Sequence, residues 1–357
     1  MRRIALFLPN WVGDVVMATP AVRAIHTAFP EAELTAVCKP YVADVLAGSP
    51  WFRDTILSDK RGPKSQRLFA VAAKLRESRH DAAVLFSNSF RTALMARLGR
   101  CGRVVGFARY GRSFLLTDRL HYKTDDRGRF VPSPMIDDYN RLAVALGTSD
   151  PGYRMELFTT AADEADADAV WERFDLQQYP RLIALNPGAA FGAAKHWPTA
   201  HFAELARTLT ARLGCGVLVL CGPSERDMAR RIVEESRSPH AFSLSDNALS
   251  LGLTKAIVRR ANLLVTTDSG PRHFAAAFNR PVVSLFGPTH IEWTETYFEK
   301  AINLQKKLSC GPCQQRVCPL GDQRCMKELL PENVFAAVER LLTRFPLPAG
   351  SEVPRAA

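Results

Sequence analysis

A chain of 357 residues, 47% apolar and 23% charged, exceeds one core of ordinary size and suits two globular domains. No run of about 18 apolar residues is present, which argues against a transmembrane helix, and Met1–Val16 lacks the long apolar core and small-residue cleavage site of a signal peptide. The net charge of +11 is localised: Trp51 to Phe130 holds 18 lysines and arginines against 7 acids. That excess points to a polyanionic partner for the first half, against the plainer alternative of a solvated basic face. A cytoplasmic location is expected.

In chain order, Ile4–Leu8 reads as a strand, Pro20–Phe29 as a helix, and Ala32–Val37, Asp81–Phe86 and Val104–Phe107 as further strands. This βαβ rhythm predicts a parallel sheet with helices on both faces. An Ala/Asp/Glu-rich helical stretch within Leu157–Asp175 marks the domain boundary, near residue 160. The rhythm restarts with strands at Arg181–Leu185 and Gly216–Cys221. Helices follow at Phe202–Leu213, Asp227–Ser236 and Ala248–Arg259, and then the segment VTTDSGPRHFAAAFNRPVVSLFGPT from Val265 to Thr289, which reads as an apolar strand, a helix and a second apolar strand. The second domain is expected over 161–330, with a terminal helix at Asn333–Phe345 packing back on the first domain and a loose tail from 346.

Polar residues just past the C-terminal end of a parallel strand face the ligand crevice. Three loops fit that description. Pro9–Asp14 opens a helix, and Asp14 is either its cap or a general base. NPGAAFGAAKHWP lets backbone approach a ligand closely and offers Lys195 to a diphosphate. In TTDSGPRH, Asp268 and Ser269 begin a helix whose free N–H groups, with Gly270 and His273, suit a phosphate. Ser224, Glu225 and Leu249 are weaker candidates for contacts to a nucleotide.

Taken with NSFRTAL at Asn88–Leu94 and WVGDVVMATPAVRAI near the N-terminus, these motifs make the chain resemble the lipopolysaccharide heptosyltransferases of glycosyltransferase family 9, most nearly the second type. The resemblance runs from the first strand to about Thr289. It implies a GT-B fold, with two doubly wound Rossmann-like domains facing a central cleft. It also implies inverting transfer of heptose from ADP-heptose to the phosphorylated lipid A–core saccharide, at the inner face of an anionic inner membrane. The family's catalytic aspartate falls on Asp14, and its diphosphate contacts on Lys195, Asp268, Ser269, Gly270 and His273. Ala190 and Phe191 stand where the first type carries threonines, which favours the second type. Asn88, Arg91, Arg109 and Arg112 are the candidates for gripping the acceptor.

No Asp-x-Asp metal clamp stands out, so catalysis is expected to need no metal or other cofactor. Cys310, Cys313, Cys318 and Cys325 lie within sixteen residues, and a structural zinc or iron–sulfur centre is the functional reading, reduced thiols the alternative. The rival readings are a first- or third-type heptosyltransferase, a non-catalytic sugar-nucleotide binder and a nucleic-acid binder. Against the last, the cations form no stripe interleaved with aromatics and no RNA-binding motif occurs.

Overall fold

The computed structural model describes residues 1–129 and 131–346 and divides into two compact units. The first comprises Met1–Phe158 together with Glu292–Tyr297, and the second Thr159–Ile291 together with the chain from Phe298 on.

In the first unit β1 (Arg3–Phe7), α1 (Val12–Met17), α2 (Thr19–Ala28), β2 (Glu33–Cys38), α3 (Pro40–Ala43), β3 (Asp54–Leu57), α4 (Leu68–Ser78), β4 (Ala82–Leu85), α5 (Phe90–Leu98), β5 (Arg103–Phe107), β6 (Asp118–Leu120) and α6 (Met135–Leu146) follow in order. The strands are parallel, in the order β3-β2-β1-β4-β5-β6. The central strands β1 and β4 are apolar because both sheet faces are covered; Ile4 to Phe7 and Ala82 to Leu85 are buried.

The second unit repeats the plan with α7 (Ala161–Arg173), β7 (Leu182–Asn186), α8 (Thr199–Leu213), β8 (Gly216–Val219), α9 (Arg226–Ser236), β9 (Ala241–Ser243), α10 (Leu251–Arg260), β10 (Leu263–Thr267), α11 (Pro271–Ala277), β11 (Val282–Phe286), β12 (Ala301–Gln305), α12 (Arg324–Lys327) and α13 (Pro331–Arg344). Its parallel order is β12-β11-β10-β7-β8-β9, the same doubly wound pattern counted from β7. A capping box starts α7: the Thr160 hydroxyl accepts from Asp163 N–H and the Asp163 carboxylate from Thr160 N–H.

The terminal helix α13 packs on α8 and on β10, β11 and β12 of its own unit. Its buried face of Val334, Phe335, Val338 and Leu341 explains why. Such a stripe needs an apolar partner, and α8, with its own buried face of Phe202, Leu205 and Leu209, lies against α13. The tail expected to be loose lies, from 347 on, outside the described residues.

Candidate active site

In each sheet the strand order reverses once, between β1 and β4 and between β7 and β10. Loops leaving those neighbouring strands turn to opposite faces, which opens a crevice at the sheet's C-terminal edge. Asp14 and Asn88 leave the first reversal, and Lys195 and Asp268 leave the second.

In the second unit, side chains stitch the two loops together. Asn186, the last residue of β7, donates from Nδ2 to Thr266 Oγ1 at 2.9 Å and to Ser269 Oγ at 3.0 Å. Thr267 Oγ1 donates to the Gly188 carbonyl at 2.5 Å. Lys195 Nζ reaches across to Asp268, 2.5 Å from Oδ2 and 3.0 Å from the carbonyl oxygen, with both side chains buried. The Thr289 hydroxyl donates to the same Oδ2 at 2.7 Å, and Arg272 Nη1 stands 3.7 Å from Oδ1. Two cations thus face one carboxylate and leave a positive remainder beside the start of α11. There the N–H groups of Ser269 and Gly270 donate to no other group among the described residues. An anion fits that corner. Asp268, anionic itself, fixes the position of the Lys195 ammonium at that corner.

His273 is buried in the same corner. Burial first, then the charges of Arg272 and Lys195, hold its imidazole well below its usual range. It is therefore neutral and offers the site an N–H group, not a charge. Ser224 is exposed in the turn after β8, and Glu225 closes that turn by accepting from Gly222 N–H at 2.8 Å. The Glu225 carboxylate lies where a side chain on Gly188 would go, so a larger residue there would displace it. Leu249, half-buried, precedes the Ser250 cap of α10 on the same sheet edge.

In the first unit, Trp11 and not Asp14 holds the N-cap position of α1. Asp14 is the third residue of the helix and half-buried, and its negative charge is felt by the buried phenol of Tyr139. Arg112 requires a correction. Expected to grip an acceptor, it is fully buried, and its guanidinium is spent on the protein. Nε donates to Phe107 O (3.0 Å), Nη1 to Ser87 O (2.6 Å) and Ser89 O (3.2 Å), and Nη2 to Asn88 Oδ1 (2.8 Å). Burial pushes its pKa down to about 10, which still leaves it charged at neutral pH. It ties the β4 and β5 loops together. Asn88, whose amide also donates to the Tyr122 hydroxyl, is held by it. Arg109 lies over the rings of Tyr110 and Tyr122, at 4.7 and 5.5 Å. Arg91, in the first turn of α5, buries Nη2 without a hydrogen-bond partner.

The cysteines line one cavity with Gly287, Pro288 and Ala194. Burial and then the nearby thiols of Cys318, Cys310 and Cys313 raise the pKa of Cys325. Among the described residues, however, no group of three or more histidine, cysteine or acidic side chains is arranged to hold a metal ion. The structural metal is therefore not carried forward. What the segment does is mechanical: the Arg316 carbonyl accepts from Ala194 N–H at 3.0 Å, Gln323 donates to Ala193 O at 2.9 Å, and Gln314 N–H donates to Pro288 O at 2.7 Å. Arg316 and Lys195 share the Phe191 ring, at 5.4 and 4.8 Å. The cysteine-rich segment clamps the loop after β7 and the turn after β11.

Sequence reasoning missed Asn186, Thr266, Thr289, Arg272 and Arg316. The polar ends of otherwise apolar strands were the available signal for the first two.

The model for glycosyltransferase family 9 (heptosyltransferase) matches residues 68–323. Lipooligosaccharide heptosyltransferase 2 of Campylobacter jejuni is 27% identical over 344 residues, 95% of this chain and 98% of that protein. The structure of E. coli ADP-heptose lipopolysaccharide heptosyltransferase II superimposes with a TM-score of 0.75 at 24% identity, covering 96% of this chain and 99% of that one. E. coli heptosyltransferase WaaC, solved with ADP-2-deoxy-2-fluoro heptose, gives 0.70 at 20% identity, covering 95% and 99%. These two structural likenesses bear on the fold, and with the two parallel sheets they make it GT-B. No described helix is long and apolar enough to cross a membrane. The family match spans most of the chain, including both donor-side loops, and so the protein belongs to glycosyltransferase family 9, the heptosyltransferases.

Proposed function

We propose that the protein transfers heptose from ADP-L-glycero-β-D-manno-heptose to a heptose of the lipopolysaccharide inner core, with inversion, as a heptosyltransferase of the second type. One observation carries the donor side: the anion corner built from Lys195, Ser269 and Gly270, held in place by Asp268, Thr289 and Arg272. The relatives of that name, aligned over nearly the whole chain, support the choice of donor and acceptor.

In the reaction the acceptor hydroxyl oxygen forms a bond to the anomeric carbon as the bond from that carbon to the β-phosphate oxygen breaks. Asp14 takes the hydroxyl proton, which contributes about 10²- to 10⁴-fold. Charge grows on the departing ADP and is met by Lys195 and by the N–H groups of Ser269 and Gly270, a preorganised electrostatic contribution. His273 adds a neutral donor. Ser224, Glu225 and Leu249 contact the nucleoside. Asn88, Arg91 and Arg109 meet the phosphorylated acceptor. The protein works in the cytoplasm, peripherally at the inner membrane, since its acceptor is lipid-anchored.

The test is transfer from ADP-heptose to core acceptors of stepwise length, with wild type and Asp14→Ala. Product is expected only on acceptors that already carry one heptose, and the variant should bind ADP normally while losing turnover at least about a hundredfold. Transfer to heptose-free acceptors would reassign the type. Near-normal turnover of Asp14→Ala would remove the base.

A further inference from the structure

The sheet edge that carries Asp14 also carries an exposed aromatic rim. In the parallel first sheet, the loops after β1, β3, β4 and β5 all emerge at one edge, and α4 and α5 begin there side by side. Phe69 in the first turn of α4 is 79% exposed, Phe114 after β5 is 68% exposed, and Phe90 opening α5 is 43% exposed. The rings of Phe90 and Phe114 lie 6.1 Å apart. Tyr110, 64% exposed, lies on the same loop after β5 as Phe114. Water-facing phenylalanines concentrated on one edge cost hydration free energy and call for an occupant.

Charge says which. The β3–α4 loop presents Lys60, Arg61, Lys64 and Arg67, all exposed, with no acid between 60 and 67. None of the four forms an ion pair among the described residues. They belong to the stretch of 18 cations against 7 acids. Aromatic rings on the same sheet edge as unpaired lysine and arginine match the interface of an anionic bilayer: rings enter the headgroup–acyl boundary while cations stay with the phosphates.

We infer that this edge of the first unit is a docking surface for anionic phospholipid, with Phe69 and Phe114 as insertion points and Lys60, Arg61, Lys64 and Arg67 as the electrostatic attachment. The inference rests on the proposed acceptor being lipid-anchored; docking at this edge would bring the Asp14 loop to the saccharide at the headgroup level.

The experiment is co-sedimentation of the full chain with vesicles of phosphatidylethanolamine and phosphatidylglycerol, and of phosphatidylcholine alone, at low and at 0.5 M salt. Wild type should bind the anionic vesicles and be released by salt, the Debye length then being under about 5 Å. Phe69→Ser with Phe114→Ser should lower partitioning at least about tenfold. Lys64→Gln with Arg67→Gln should lower it about fivefold for each cation removed. Because these side chains are exposed, unchanged thermal unfolding is the expected folding control. Turnover then separates the ideas: the phenylalanine pair should slow transfer to vesicle-borne acceptor yet leave transfer to a deacylated, water-soluble acceptor at the wild-type rate. Wild type failing to bind anionic vesicles, or variants binding as well as wild type, overturns the surface. So does equal loss on the soluble acceptor, which would make the rim a saccharide site, and so does a concentration-dependent dimer abolished by the same changes. Vesicle binding without any heptosyl transfer would instead leave the surface standing and remove the proposed reaction.

Discussion

Replacing Lys195 with methionine keeps the side-chain stem and deletes the charge, so it isolates what the ammonium contributes. With an effective dielectric near 20, unit charges 2.5 Å apart attract by about 6.6 kcal/mol and charges 3.7 Å apart by about 4.5 kcal/mol. Arg272 therefore keeps a substantial share of the attraction on Asp268 when Lys195 is gone, and the Thr289 hydroxyl stays bonded. Breaking a buried pair costs about 3–5 kcal/mol, and the remaining partners place this case near the lower end, about 3 kcal/mol. Adding Asp268→Asn leaves an oxygen for Thr289 but takes from the buried Arg272 the carboxylate it still faces. The double variant should thus lose at least about 1 kcal/mol more than Lys195→Met. Turnover should behave differently. Both variants lack the cation that meets the leaving diphosphate, so both should lose about 10²- to 10³-fold in kcat. Urea unfolding and transfer from ADP-heptose read the two effects separately. If the single and double variants unfold within about 0.5 kcal/mol of each other, the pair is not the buried unit described. If Lys195→Met turns over near the wild-type rate, Lys195 does not face the diphosphate.

Arg112→Lys should destabilise the protein by about 3 kcal/mol or more and impair turnover with little change in donor affinity, because an ammonium cannot span Phe107, Ser87, Ser89 and Asn88 together. Urea unfolding with ADP titration checks both halves. Gly192→Ala places a Cβ 2.5 Å from the Arg316 carbonyl oxygen. Pushing the clamp off the β7 loop should cost about 1–3 kcal/mol and raise KM for the donor more than it lowers kcat, as steady-state kinetics would register. Stability should also fall with acid. His273 and His80 are both held below their usual range mainly by burial, so the unfolded chain binds protons that the folded chain refuses. The loss therefore begins as pH drops through about 6.5, at up to about 1.4 kcal/mol per pH unit for each histidine. Unfolding midpoints between pH 7.5 and 5.5 measure the slope, and His80→Gln should flatten it.

The sheet interiors were legible and their borders were not. Eight strands were anticipated from apolar runs, each within a few residues. The four overlooked, β3, β6, β9 and β12, are the outermost strands of the two sheets. A border strand has one neighbour and buries less, so DTIL, DRL, AFS and AINLQ carry little apolar signal. The helices α4 and α5 were hidden differently. In α5 it is Ala93, Met95 and Ala96 that pack inward while Phe90 and Leu98 face out, which inverts the expected amphipathic pattern. Arg112 misled for a related reason. Charge in a basic stretch suggests a surface, and nothing local reveals that four oxygens from two loops converge on it.

Asp268 raises the question of why an acid sits in the corner proposed to hold a diphosphate. A carboxylate alone would repel the donor. Its Oδ2 takes Lys195 and Thr289 while Oδ1 faces Arg272, so the acid is over-neutralised and its repulsion is met locally. In return, a lysine with several free torsions is confined to one place before the ligand arrives, and a charge already oriented need not reorganise as the leaving group develops. The same logic separates Asp268→Asn from Lys195→Met. The amide still accepts from Thr289 but holds the ammonium weakly, so kcat should fall through misplacement of a cation that is still present. Asp268→Glu, with a longer stem, should misplace it too. If Asp268→Asn instead tightened ADP binding and left kcat intact, the acid would be a mere electrostatic cost to the donor, and the positioning argument would be wrong.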